Sequence, residues 1–174
     1  MNYVFTLKYQ LAPEDCDHDD LVERLAQAGC DDATIGAGQP GRIALAFARD
    51  SESAWSAIYS ALQDVKQAAP AARLVEAAPD LVGLTDVADM TGMSRQNMRK
   101  LMLAHTADFP QPVHEGNPSL WHLGDILAWL NGRQGYSIDV TLLDTACTAK
   151  QVNLVKEARE IDTRIKRQLA ELVE

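Results

Sequence analysis

Between residues 94 and 100 the chain reads Ser-Arg-Gln-Asn-Met-Arg-Lys, two carboxamides and three cations within seven positions and no acid among them. A carboxamide carries a donor and an acceptor side by side, which pairs bidentately with the edge of adenine. A guanidinium fork does the same with guanine, and an ammonium is a point charge suited to phosphate. Arg95, Gln96, Asn97 and Arg99 are therefore candidates for base edges, Lys100 for phosphate, and Ser94 for the helix cap that starts the run. These are side chains for the major groove of duplex DNA, provided that one rigid face presents them together.

The surrounding sequence supplies elements that could build such a face. Turning about 100° per residue from Ser94, Met98, Leu101, Met102 and His105 form an inward stripe, with Gln96, Arg99, Lys100 and Leu103 opposite. That pattern predicts a helix over 94–105. A shorter helix is expected before it, opened by Thr85 with Asp86 at its positive end and carrying Val87, Ala88 and Met90 inward. Gly92 can take the left-handed conformation that turns the chain between the two, and Met93 can fill the space between them. Phe109-Pro110-Gln111-Pro112-Val113 cannot continue a helix. Val113 can pair with residues 120–123 across a turn at 115–119, a small wing whose His114, Asn117 and His122 could reach phosphates. Trp121 is expected in the core. Asp125 is expected to open a last helix with Ile126, Leu127, Trp129 and Leu130 packing back.

The order helix, tight turn, helix, wing, helix is that of a winged helix-turn-helix. Residues 82–133 resemble the MerR-type form of it, and most of all the small phage AlpA/excisionase-like branch. The resemblance rests on Leu-Thr-x-x-Ala-x-x-x-Gly-Met-Ser-Arg at 84–95, on Phe109-Pro110-x-Pro112, and on Trp121 followed by Asp125-Ile126-Leu127-Ala128-Trp129-Leu130. It implies that the 94–105 helix enters the major groove and that the wing lies on the backbone. The chain departs from the family at the wing, where Arg and Lys are usual and His114, Glu115, Asn117 and His122 stand here. Gly124 occupies a place where a capping Ser is common.

Charge is unevenly spread. The 174 residues carry a formal net charge of −9, but residues 1–80 hold 13 of the 25 acids and 6 of the 16 basic residues. Residues 81–134 hold 5 acids and 4 cations, with the cations bunched at Arg95, Arg99 and Lys100. The local field decides at a docking face, so the acidic average does not exclude DNA. So few cations do imply modest non-specific affinity and a need for two copies.

The N-terminal part reads as a separate unit. Tyr3, Phe5, Leu7, Tyr9 and Leu11 alternate with polar residues, a half-buried strand. Asp17 or Asp19 can open a helix to Gln27 with Leu21, Val22 and Leu25 inward. Strands follow near 33–35 and at Ile43, Leu45 and Phe47, separated by a Gly- and Pro-rich turn at 36–41. Ser51 or Ser53 opens a second helix to about Ala69, read with Trp55, Ile58, Leu62 and Val65 on one inward stripe. Residues 72–77 make a fourth strand. The order βαββαβ predicts a ferredoxin-like sandwich and an overall α+β class. That fold supports regulatory, protein-binding and ligand-binding roles alike.

From about Val140 a helical pattern runs to the end. Leu154, Ala158, Ile161, Ile165, Leu169 and Leu172 recur at spacings of three and four, a seam suited to pairing two copies. The expected organisation is thus a sandwich at 1–79, a winged helix-turn-helix at 80–134 and a helical dimerisation tail at 135–174.

Cys16, Cys30 and Cys147 are odd in number and form no CxxC pair, and they read as reduced thiols of a cytoplasmic protein. No apolar run is long enough for a membrane span, and the alternating N-terminus is unlike a signal peptide. His105, His114 and His122 lack Cys or carboxylate companions at ligand spacing, so neither metal nor cofactor is expected. No nucleophile–base pattern suggests an enzyme. The sequence therefore points to a dimeric, DNA-binding transcription regulator of a bacterial or phage operon, a repressor or autoregulator. The alternatives are an antitoxin-like or adaptor protein whose acidic N-terminal domain binds a partner protein, and a regulator with a small ligand at that domain.

Overall fold

Alternation at the N-terminus becomes strand β1 (Asn2–Gln10), with Tyr3, Phe5, Leu7 and Tyr9 buried and Val4 and Lys8 outward. The computed structural model describes every residue except Ala37, Glu171 and Glu174. Helix α1 (His18–Gln27) is capped by Asp17, whose carboxylate accepts from the Asp20 amide at 3.3 Å. Strand β2 (Ala33–Gly36) precedes β3 (Arg42–Asp50); the turn between them includes Ala37, outside the described residues. Ser53 caps α2 (Ala54–Ala68), and β4 (Arg73–Ala78) follows. The strands lie in the order β2-β3-β1-β4, every neighbouring pair antiparallel. Both helices cover one face, and this is the split βαββαβ sandwich that the sequence predicts. Its register sets Phe5 opposite Phe47, with rings stacked at 5.0 Å, and Leu7 opposite Leu45.

The inward stripe of α2 differs from the sequence reading. Ala54, Ala57, Ile58, Ala61, Val65 and Ala68 are the buried residues, while Trp55 is 55% exposed and stacks on Tyr59. Small alanines let the helix lie close to the sheet, and that rotation carries the tryptophan to the outer side. Arg49, at the end of β3, ties the sandwich together with five hydrogen bonds. Two go to Asp32, and one each to Asp64, Ser60 and the Gly29 carbonyl. These partners raise its pKa further above the usual arginine value, the Asp32 hydrogen bond most.

The second unit begins with β5 (Leu81–Val82), then α3 (Leu84–Thr91) and α4 (Arg95–Ala104). Strand β6 (Trp121–His122) pairs with β5 and leads directly into α5 (Leu123–Asn131). Val87, Ala88, Met98, Phe109, Trp121, Leu123, Ile126, Leu127 and Leu130 form its core.

Helix α6 (Val140–Ala158) belongs to both units. Ala149 and Val152 pack on the sandwich core, and Ala146, Leu142 and Leu143 on the second core. Strand β4 would otherwise offer an open sheet edge. Instead the Asn153 carboxamide accepts from the Ala77 amide at 2.9 Å and donates to the Ala77 carbonyl at 2.8 Å. Lys156 donates to the Val75 carbonyl at 2.6 Å. The same Asn153 amide donates to Asp80 at 2.7 Å, and Lys150 pairs with Asp125 at 2.7 Å. Gly124 lets α5 approach α6: a Cβ there would sit 3.1 Å from the backbone nitrogen of Cys147. Helix α6 is therefore packed into both units, while every described residue from Arg159 onward is exposed.

Nor is the C-terminal pattern one helix. The chain turns after α6, and α7 (Thr163–Leu169) starts afresh on Asp162, which accepts from the Arg164 and Ile165 amides at 2.8 and 3.3 Å. Leu154 and Ala158 lie on α6, Ile161 in the turn, Ile165 and Leu169 on α7, and Leu172 beyond it. All six are exposed, but they do not form one straight seam. Among the described residues no helix is long and apolar enough to cross a membrane.

Candidate nucleic-acid interface

Local chemistry fixes the turn between α3 and α4. Gly92 ends α3 with φ +68°, the left-handed conformation expected for it, and its amide donates to the Ala88 carbonyl. Ser94 then caps α4, its hydroxyl accepting from the Asn97 amide at 3.2 Å. Thr85 is not the cap of α3. Gly83 holds that place, and its amide donates to the Asp86 carboxylate at 2.8 Å, so Asp86 serves the helix's positive end as expected. Across the turn, Val87 and Ala88 meet Met98, all essentially without exposure. Met93 packs partly buried against them, and Leu101 and Met102 continue the inner stripe of α4.

With Met98 buried and Leu101 and Met102 partly buried, the other side of α4 faces outward. Ser94, Arg95, Gln96, Asn97, Arg99 and Lys100 are all exposed. Arg95, Arg99 and Lys100 form no ion pair among the described residues, whereas Arg24, Arg49, Arg133 and Lys150 each hold a carboxylate. No acid occurs on α4 itself. Leu103 is also exposed, an apolar spot beside the cations. His105 turns toward the core instead, its ring edge-on to Trp129 at 5.5 Å. The candidate residues of this helix thus all lie on its exposed side.

The wing is short. Val113 and His114 donate to the Leu120 carbonyl at 2.8 and 3.3 Å, and Leu120 donates back to the His114 carbonyl at 3.0 Å. His114 and Asn117 are exposed, and the His114 ring lies over Gly116, where a Cβ would collide with it. His122 does not join them. Its Nδ1 lies 2.6 Å from the Asp80 carboxylate, and its side chain is 14% exposed. It is a joint between the two units: Asp80 is buried, its other carboxylate oxygen accepts from Asn153, and its backbone carbonyl accepts from the Leu123 amide at 2.7 Å. The sequence reading missed Asp80, Asn153 and strand β5. Trp121 is core, as expected, with its indole N–H on the Pro110 carbonyl at 3.1 Å.

Two helices at a three-residue turn, a short wing and an outward face of unpaired cations and carboxamides define a helix-turn-helix segment of the DNA-binding type. In agreement, residues 80–134 match the model of the family described as prophage CP4-57 regulatory protein (AlpA). The match makes this an AlpA-like DNA-binding segment and covers under a third of the chain. No curated protein and no solved structure matches the chain.

Proposed function

We propose that the chain is a sequence-specific transcription regulator that binds duplex DNA as a homodimer and represses or autoregulates a bacterial or phage operon. The observation that carries this is the outward face of α4, where Arg95, Gln96, Asn97, Arg99 and Lys100 stand exposed and unengaged by carboxylates. In this reading α4 lies in the major groove as in the MerR-type arrangement. Gln96, Asn97, Arg95 and Arg99 meet base edges, and Lys100 meets phosphate. His114 and Asn117 touch the backbone from the wing. Three cations per reader supply little non-specific affinity, so two copies on paired half-sites about one helical turn apart are needed for tight binding. The exposed apolar side chains Leu154, Ile161, Ile165 and Leu169 support pairing through the C-terminal elements. DNase footprinting of the DNA upstream of its own gene tests the reading. Protection of an inverted or direct repeat is expected, and the absence of any protected repeat overturns it.

A further inference from the structure

A groove of about 610 Å³ opens between α2, β4 and the C-terminal half of α6. Its size falls in the range of roughly 300–1,000 Å³ typical of small-molecule sites. One wall is the Trp55–Tyr59 pair, stacked with ring centroids 5.1 Å apart and exposed on the outer side of α2. Val155 of α6 stands opposite, 64% exposed.

The polar groups are of one sign. Lys66, Arg73 and Arg159 line the groove and none holds a carboxylate among the described residues. No Asp or Glu lines it, in a chain with 25 acids and a net charge of −9. Tyr9 also borders it: this residue is 5% exposed, and its hydroxyl makes no hydrogen bond among the described residues. Burial, with Cys30 nearby, raises its pKa. The apolar wall, the Arg73 and Arg159 guanidinium groups that hold no carboxylate among the described residues, the Lys66 ammonium held on the Pro70 carbonyl, and the Tyr9 phenol O–H together complement an apolar anion.

We propose that this groove binds a small planar apolar carboxylate, the ring lying against Trp55 and Tyr59 and the carboxylate drawn to Arg73, Arg159 and Lys66. The inference stands independently of DNA binding. A second copy's α7 is a poor occupant, because Thr163–Leu169 carries Arg164, Lys166 and Arg167 and no acid. The site also borders α6, the helix that both cores share.

Calorimetry and tryptophan fluorescence on the full chain test this, with 2-naphthoate as probe and 2-naphthamide as its uncharged counterpart. Saturable one-to-one binding of the acid is expected, at least tenfold tighter than that of the amide. Arg73→Gln with Arg159→Gln should bring the acid down to the affinity of the amide, and Trp55→Leu should weaken both. Equal binding of acid and amide to the unaltered chain overturns the proposal without recourse to any variant, as does the absence of binding. A folded double variant that binds the acid unchanged also overturns it. So does a shift from dimer to monomer in Trp55→Leu without naphthoate binding, since the groove would then be a contact between copies.

Discussion

Arg99 and Gln96 differ from Lys100 in what they can tell apart. A bidentate contact to one base is lost when either partner changes, whereas a point charge near phosphate is indifferent to sequence. Arg99→Ala and Gln96→Ala should therefore each cost about 1–3 kcal/mol on the specific site and little on random DNA. Lys100→Ala should weaken both alike and reduce the salt slope by about one. Anisotropy titrations over a salt series separate the two behaviours. Much of this face was legible in the sequence, because Ser94, Gly92 and Met98 act within a few positions of themselves. His122 and Asn153 were not: their partners Asp80 and Ala77 lie 42 and 76 residues away, and no periodicity records a pairing across that distance. Trp55 was misread for another reason. A stripe counted by large apolar residues overlooks alanines, and in α2 the alanines are the face that packs.

Helix α6 is the element on which both units depend. Asn153→Ala would leave the Ala77 amide and carbonyl unpaired at a buried sheet edge and remove one partner of Asp80. Buried polar groups left without partners cost about 1–3 kcal/mol each, so a loss of roughly 2–4 kcal/mol in urea unfolding is expected. A chain ending at Gln134 should fail to keep a folded reader, since Leu142, Leu143 and Ala146 complete its core. Leu142 and Leu143 are partly buried and so contribute less than the about 1.5–3 kcal/mol of a fully buried leucine, but the three together are a sizeable share of a typical total of about 5–15 kcal/mol. A chain ending at Ala158 should keep both cores, and circular dichroism melts of the two truncations read the contrast. Element order and sheet topology were recoverable from alternation and turn residues. The break before α7 was hidden because Ile161 and Ile165 preserve the spacing of three and four across it, although Asp162 carries the cap signal that ends one helix and begins another.

Across the chain, an acidic sandwich and a nearly neutral reader are joined by a helix that ends in an exposed, cation-bearing segment. With three cations on α4, the proposed tight binding to an operator takes two copies. Ile161→Asp with Ile165→Asp touches neither core, so folding should be unaffected while sedimentation shows a monomer and operator affinity falls. A dimer that persists would move the contact elsewhere, to the sandwich. Base reading by α4 is tested by footprinting the intact chain beside the Gln96→Ala, Arg99→Ala double variant on the DNA upstream of its gene. The outward face of α4 predicts a protected repeat with the intact chain, lost at equal concentration in a double variant whose melting curve is unchanged. The same protection with both proteins, or none with either, would contradict it.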